Sequence, residues 1–364
     1  MPERLKKIEE LPKDSDMHHW ADYAELRCLA DPDGLISVGQ LVDMIREGRD
    51  KGEGKSDAFG GDEVTAGEVD ASLAEEDETG DDLDDPRASS DPWEDLDSVE
   101  AADDEDVSDA EKQDAVQDLA ADVFARLRWR ESAFGDAWPF EVRRGSLLAL
   151  RDPTPARRNY AFFLLCSCLR WFSKADQTRL ATAFERVSHQ AMVRAYPGWE
   201  VHLFGTSAEE GSRYTGELYP RLKQLAQDLR CRLKVSESDF KSPDYGDNGL
   251  DVVAWLPFAV AGSKGLPLAF AQCATGATNW KQKQEEVSAQ RWGATLDLEM
   301  PVTNWTFIPF CYHGNGGDWE NSRHVHVGVL ADRLRLCELL REDLDADLAG
   351  LPDDLLADVG LLAS

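Results

Sequence analysis

Asp251 sits in the apolar run Leu250-Asp251-Val252-Val253-Ala254-Trp255, and Gln272 ends a second run, Leu268-Ala269-Phe270-Ala271-Gln272. Both runs read as strands. Aspartate is depleted from strands and costs free energy when buried without a partner. Two such polar residues on neighbouring strands make sense if they face a shared ligand, most simply a metal ion. A hard cation such as Mg2+ takes oxygen ligands from one or two side chains, with water and phosphate completing its shell. A carboxylate on one strand and a carboxamide oxygen on the next supply that pair. Asp247, in the Gly-flanked stretch Gly246-Asp247-Asn248-Gly249, reads instead as turn chemistry.

The elements that must position these residues come in the order α-β-β-β-α-β. Tyr219-Pro220 opens a helix through Leu229. Strands follow at Arg232–Val235, Leu250–Leu256 and Leu268–Cys273, then a helix over Asn279–Gln290 and a strand over Trp305–Cys311. A further strand at His324–Leu330 and a helix at Asp332–Leu344 complete residues 201–335 and lead into a helical tail, 336–364. Upstream, residues 114–200 read as a helical domain whose apolar segment Asn159–Phe172 is its central buried helix. Residues 1–50 hold a helix pair split by the turn Asp31-Pro32-Asp33-Gly34. It is too small for a core of its own and is expected to dock on the rest of the protein or on a partner.

Charge divides the chain. Residues 51–114 carry 26 acidic and 4 basic side chains, a net of −22 within a total of −32. With few large apolar residues to offset chain entropy, 51–113 reads as a disordered acidic linker. A sharper reading is an electrostatic mask over a basic groove, with Trp93 as an anchor. Outside this segment the chain is only mildly acidic, so the total says little about nucleic-acid binding, which depends on local patches. There is no run of eighteen apolar residues and no apolar core near the N-terminus, so neither a membrane span nor a secretory signal is expected. Seven scattered cysteines without a Cys-x-x-Cys pair read as reduced, buried thiols of a cytoplasmic protein. His313, His324 and His326 suggest zinc, but without Cys-x-x-Cys or His-Glu-x-x-His spacing a satisfied structural role is favoured. No P-loop and no Gly-x-Ser-x-Gly elbow is present.

The element order, with Asp251 at the second strand and Gln272 on the third, resembles the PD-(D/E)xK restriction-endonuclease-like superfamily over roughly residues 214–312. The resemblance implies an α+β (α/β) nuclease domain in which Asp251 and Gln272 share Mg2+, with Mn2+ able to substitute. It also implies a lysine that neutralises charge on the phosphate. The position two residues after the strand glutamate or glutamine, where the family usually has this lysine, is Ala274. Some members carry it on the following helix. Gln272-Cys273-Ala274-Thr275-Gly276, then Asn279-Trp280 and Lys283, looks like a variant seen in uncharacterised bacterial nucleases. That match points to Lys283, with Lys281 as fallback and Asn279 and Trp280 as nucleic-acid contacts. Glu217 matches a helix glutamate that some members use as an extra metal ligand.

The function implied is a metal-dependent endonuclease acting on DNA, with RNA left open, in a restriction or anti-phage role. A helicase or sensor partner and a homodimer are both compatible with it. Ala274 and the uncharged Gln272 motivate an alternative from another class: a nuclease-fold binding or adaptor subunit without catalysis, regulated by the acidic linker.

Overall fold

The computed structural model describes residues 5, 8–12, 17–52, 109–205, 212–240, 244, 246–259 and 264–341. The expectations for residues 53–108, Trp93 included, and for the tail from 342 onward lie outside the described residues.

In chain order the elements are α1 (Met17–Ala30), β1 (Leu35–Ser37), α2 (Val38–Gly52), α3 (Asp109–Phe134), β2 (Phe140–Arg143), β3 (Leu147–Leu150), α4 (Pro155–Ser167), α5 (Lys174–Ala195), β4 (Glu200–Leu203), α6 (Leu218–Asp228), β5 (Arg232–Leu233), β6 (Val252–Trp255), β7 (Leu268–Cys273), α7 (Trp280–Lys283), α8 (Ala289–Thr295), β8 (Leu296–Asp297), β9 (Val302–Phe307), β10 (Val329–Ala331) and α9 (Arg333–Leu339). Local chemistry explains many of the boundaries. Thr154 caps α4 by accepting from the Arg157 N–H, with Pro155 at the first helical position, where its missing N–H costs nothing. Ser173 caps α5 and Asp332 caps α9 in the same way.

The fold is mixed α/β, built on a five-stranded sheet in the order β10-β9-β7-β6-β4. β10, β9 and β7 run parallel, and β7, β6 and β4 alternate in direction. Side chains alternate between faces along β7. Ala269, Ala271 and Cys273 join the core that includes Phe184, Val187 and Ala191 of α5, while Leu268 and Phe270 join the core made with Leu222 and Leu225 of α6 and Trp292 of α8.

The α-β-β-β-α-β order is present only with α6 and β5 inserted after its first strand, and its first helix and strand are α5 and β4, not the expected helix at 219–229 and strand at 232–235. β4 is an edge strand of exposed Glu200 and half-buried Val201, His202 and Leu203, so its sequence carries little apolar signal. Arg232 and Leu233 form only a two-residue ribbon with β8. Residues 114–200 are also less helical than expected. β2 and β3 form a hairpin turning at Arg144-Gly145, both at positive φ, and β1 joins it. The helix expected at 279–290 is a short α7, a 3-10 turn at Gln284–Val287, and α8. α1 and α2 both pack on α3, and α1 is buried nearly all round. No helix among the described residues is long and apolar enough to cross a membrane.

Candidate active site

The turn before β6 aims Asp251. Asp247 Oδ1 accepts from the Gly249 N–H at 2.7 Å, and Asn248 and Gly249 take φ of 55° and 74°. The turn chemistry expected of Asp247 is thus in place. Arg221 of α6 braces both loops beside it, donating to the carbonyls of Phe204 and Gly246. Asp251 is 3% exposed. Its Oδ2 accepts from the Cys273 N–H of β7 at 2.6 Å, taking the place of a strand carbonyl where β6 and β7 part. The backbone carbonyl of Asp251 accepts from the Phe204 and Gly205 N–H groups.

Against this carboxylate stands Glu185 of α5, also buried. Burial, followed by the charges of Glu185 and Asp247, pushes the Asp251 carboxyl well above the usual carboxylate range. The Cys273 N–H and Lys283 act against that shift. Gly205 leaves room for the pair: a Cβ there would lie 2.9 Å from Asp251 Oδ1 and 3.5 Å from Glu185 Oε2. Gly205→Ala is therefore expected to displace the Asp251 carboxylate and cost about 1–3 kcal/mol. Urea unfolding with an unchanged midpoint would show the cradle to be roomier than this.

Gln272 stands at the same end of β7, beside the Ala271 that pairs with Val252. It is buried, and its Oε1 accepts no hydrogen bond. Alternation turns it to the face away from α5, so Glu185 and Gln272 flank the fork from opposite sides. Lys283 is half-buried, and its charge bears on Asp251 and on Cys273; Lys281 is not among the charges that bear most on Asp251. Asn279 is half-buried at the start of α7, its side chain close against Gly276.

Two expectations need correction. The helix carboxylate beside Asp251 is Glu185 and not Glu217, which sits at the start of α6, because α5 rather than α6 is the helix that covers this face of the sheet. Trp280 is completely buried, its ring set T-shaped on Tyr312 at 4.7 Å, so it has no face to offer a nucleic acid. Glu185 was hidden by a plausible helix reading, yet a signal existed. It falls on the buried stripe Ala181, Glu185, Ser188, Met192, where an amphipathic helix should carry no charge.

The three histidines do not converge. His324 lies in a 3-10 turn, since β10 begins only at Val329; it meets the Tyr312 hydroxyl at 2.5 Å, and His326 pairs with Glu285 at 3.4 Å. His313 instead donates from Nδ1 to Asp332 Oδ2 at 2.8 Å.

No family model and no curated protein matches this chain. Among solved structures it is similar to the MspJI restriction endonuclease in complex with a 27-mer oligonucleotide, at 13% identity and a TM-score of 0.29. That match covers 57% of this chain, which spans 36% of the length of the MspJI chain.

Proposed function

We propose that this chain is a metal-dependent nuclease acting on DNA phosphodiesters, with its site at the fork between β6 and β7. The observation that carries the reading is the buried pair Asp251, at the start of β6, and Glu185, on the helix α5 that covers this face of the sheet. Two carboxylates held together away from water cost stability, and a cation is what relieves that cost. Strongly shifted groups of this kind cluster at functional sites. Asp251 and Glu185 fit a hard cation such as Mg2+ or Mn2+, and the Gln272 Oε1, buried and accepting nothing, is a further oxygen at the same strand end. When bound, the metal would polarise the scissile phosphate and lower the pKa of an attacking water. Lys283 then supplies the positive charge that Ala274 does not, offsetting charge that develops on the phosphate oxygens. The choice of DNA, and a restriction or anti-phage role, rest on the resemblance to the PD-(D/E)xK superfamily. Ala274, fully buried at the usual lysine position, favours the second reading of a binder without catalysis.

Plasmid DNA and a matched RNA, each incubated with the protein and Mg2+ or Mn2+, decide between the two. Glu185→Gln and Lys283→Ala are each expected to slow DNA cleavage by about 10²-fold or more, while Lys281→Ala cuts nearly as well as wild type. Equal cutting by wild type and Asp251→Ala would overturn the nuclease assignment. DNA retention without cleavage under either metal would select the binder.

A further inference from the structure

We propose that Cys311, His313 and Asp332 form a second metal site, distinct from the fork, that takes zinc. The parallel pairing of β9 with β10 brings together the two segments that follow these strands. Cys311 and His313 come two apart on one segment, and Asp332 begins α9 on the other. Their exposures are 0%, 9% and 0%, and a ligand atom from each lies within 4.8 Å of the others. They are the one such His/Cys/Asp/Glu group among the described residues.

Donor chemistry selects the ion. Sulfur, imidazole nitrogen and a single carboxylate suit zinc, whereas Mg2+ prefers oxygen alone. Local charge agrees. The neighbouring cations Arg130 and Arg333 are already matched by Asp22 and Glu25. A Cys311 thiolate and the Asp332 carboxylate together balance a divalent ion. Burial pushes the Cys311 thiol up to about 12, so without an ion it keeps its proton. On loading, the sulfur–metal bond forms as that proton leaves to solvent, with no change in oxidation state. Tyr312, between Cys311 and His313, packs on Trp280 at the start of α7, so the ion would stiffen the seat of the helix that carries Lys283.

The test is metal content. Full-length wild type, Cys311→Ser, His313→Gln and Asp251→Asn are stripped with a chelator, exposed to Zn2+ and desalted. Wild type and Asp251→Asn are expected to retain about one zinc per chain. Cys311→Ser and His313→Gln should lose it while keeping the wild-type circular dichroism. Cobalt in place of zinc should give a thiolate-to-metal absorption in wild type that His313→Gln lacks; His313 lies at the rim, so this variant should fold even if Cys311→Ser does not. Zinc held equally by wild type and His313→Gln, or by neither, overturns the proposal. Because Asp251→Asn disables only the fork, its zinc content separates this site from the nuclease reading.

Discussion

Asp251→Asn is expected to raise the stability of the fold and, in the same molecule, to abolish metal-dependent cleavage. The carboxyl is held above its ordinary range by burial and by Glu185. Below the unfolded pKa, both states carry the proton and the site has no cost. As pH rises past that value, the unfolded chain ionises while the folded chain resists doing so, so the unfolded state binds fewer protons and stability falls. Asparagine removes the charge and keeps an oxygen to accept from the Cys273 N–H, so the variant should gain about 0.5–2 kcal/mol at neutral pH. The gain should shrink as the buffer is taken into acid. Mg2+ should raise the Tm of wild type, since it binds only the folded state, and leave the Tm of the variant unchanged. Thermal melts of both proteins at neutral and acidic pH, with and without Mg2+, measure all of this. A Tm that drops at neutral pH would make Asp251 a structural acceptor for β7, not a destabilising functional group.

The candidate site was half legible. Asp251 and Gln272 stand out because each interrupts a run whose other members must be buried, and β6 and β7 do lie side by side. The element order was also readable, since alternation and helical spacing are local properties. The assignment of its first members failed where β4 took an edge position. An edge strand pairs on one side only and needs no continuous apolar face, and Arg232-Leu233-Lys234-Val235 looked more like a strand than Glu200-Val201-His202-Leu203 did. With α5 went Glu185, whose place in the site depends on which helix covers the sheet. Trp280 illustrates the converse error: a motif assigned it to nucleic acid, while packing makes it core. Burial is a tertiary property, and neither its motif nor its spacing reveals it.

The same limit hid the polar hub that joins α1 to α3 and α9, and Arg333→Met should expose its energetics. Arg333 is fully buried and donates to Asp22 Oδ2 and Ser167 Oγ at 2.7 Å, to the Pro309 carbonyl at 2.8 Å and to the Tyr160 hydroxyl at 3.2 Å. Arg130 meets Asp22 and Glu25 at 2.7 and 2.9 Å, and Trp138 and Tyr160 donate to Glu25 at 2.9 Å. Two carboxylates from α1 thus face two guanidiniums from α3 and α9, with no net charge. The guanidiniums of Arg333 and Arg130 more than offset burial and hold the Asp22 carboxyl well below its usual range. Removing one guanidinium leaves a buried carboxylate uncompensated, a loss of about 3–5 kcal/mol. In wild type the contribution of Asp22 is complete above its unfolded pKa and fades only as pH falls through its depressed folded value. In Arg333→Met the folded value moves up, and the carboxylate can take a proton in mild acid. The deficit should therefore be largest at neutral pH and narrow toward acid. Chemical unfolding of both proteins at two pH values measures it, and a loss under about 1 kcal/mol would mean that water reaches the hub. The hub also bears on where this chain can be cut. A truncation at residue 50 removes Asp22 and Glu25 together and strands Arg130 and Arg333 in the core. The N-terminal helix pair is thus expected to be required for folding of the half built on the five-stranded sheet, although more than 300 residues separate Asp22 from Arg333.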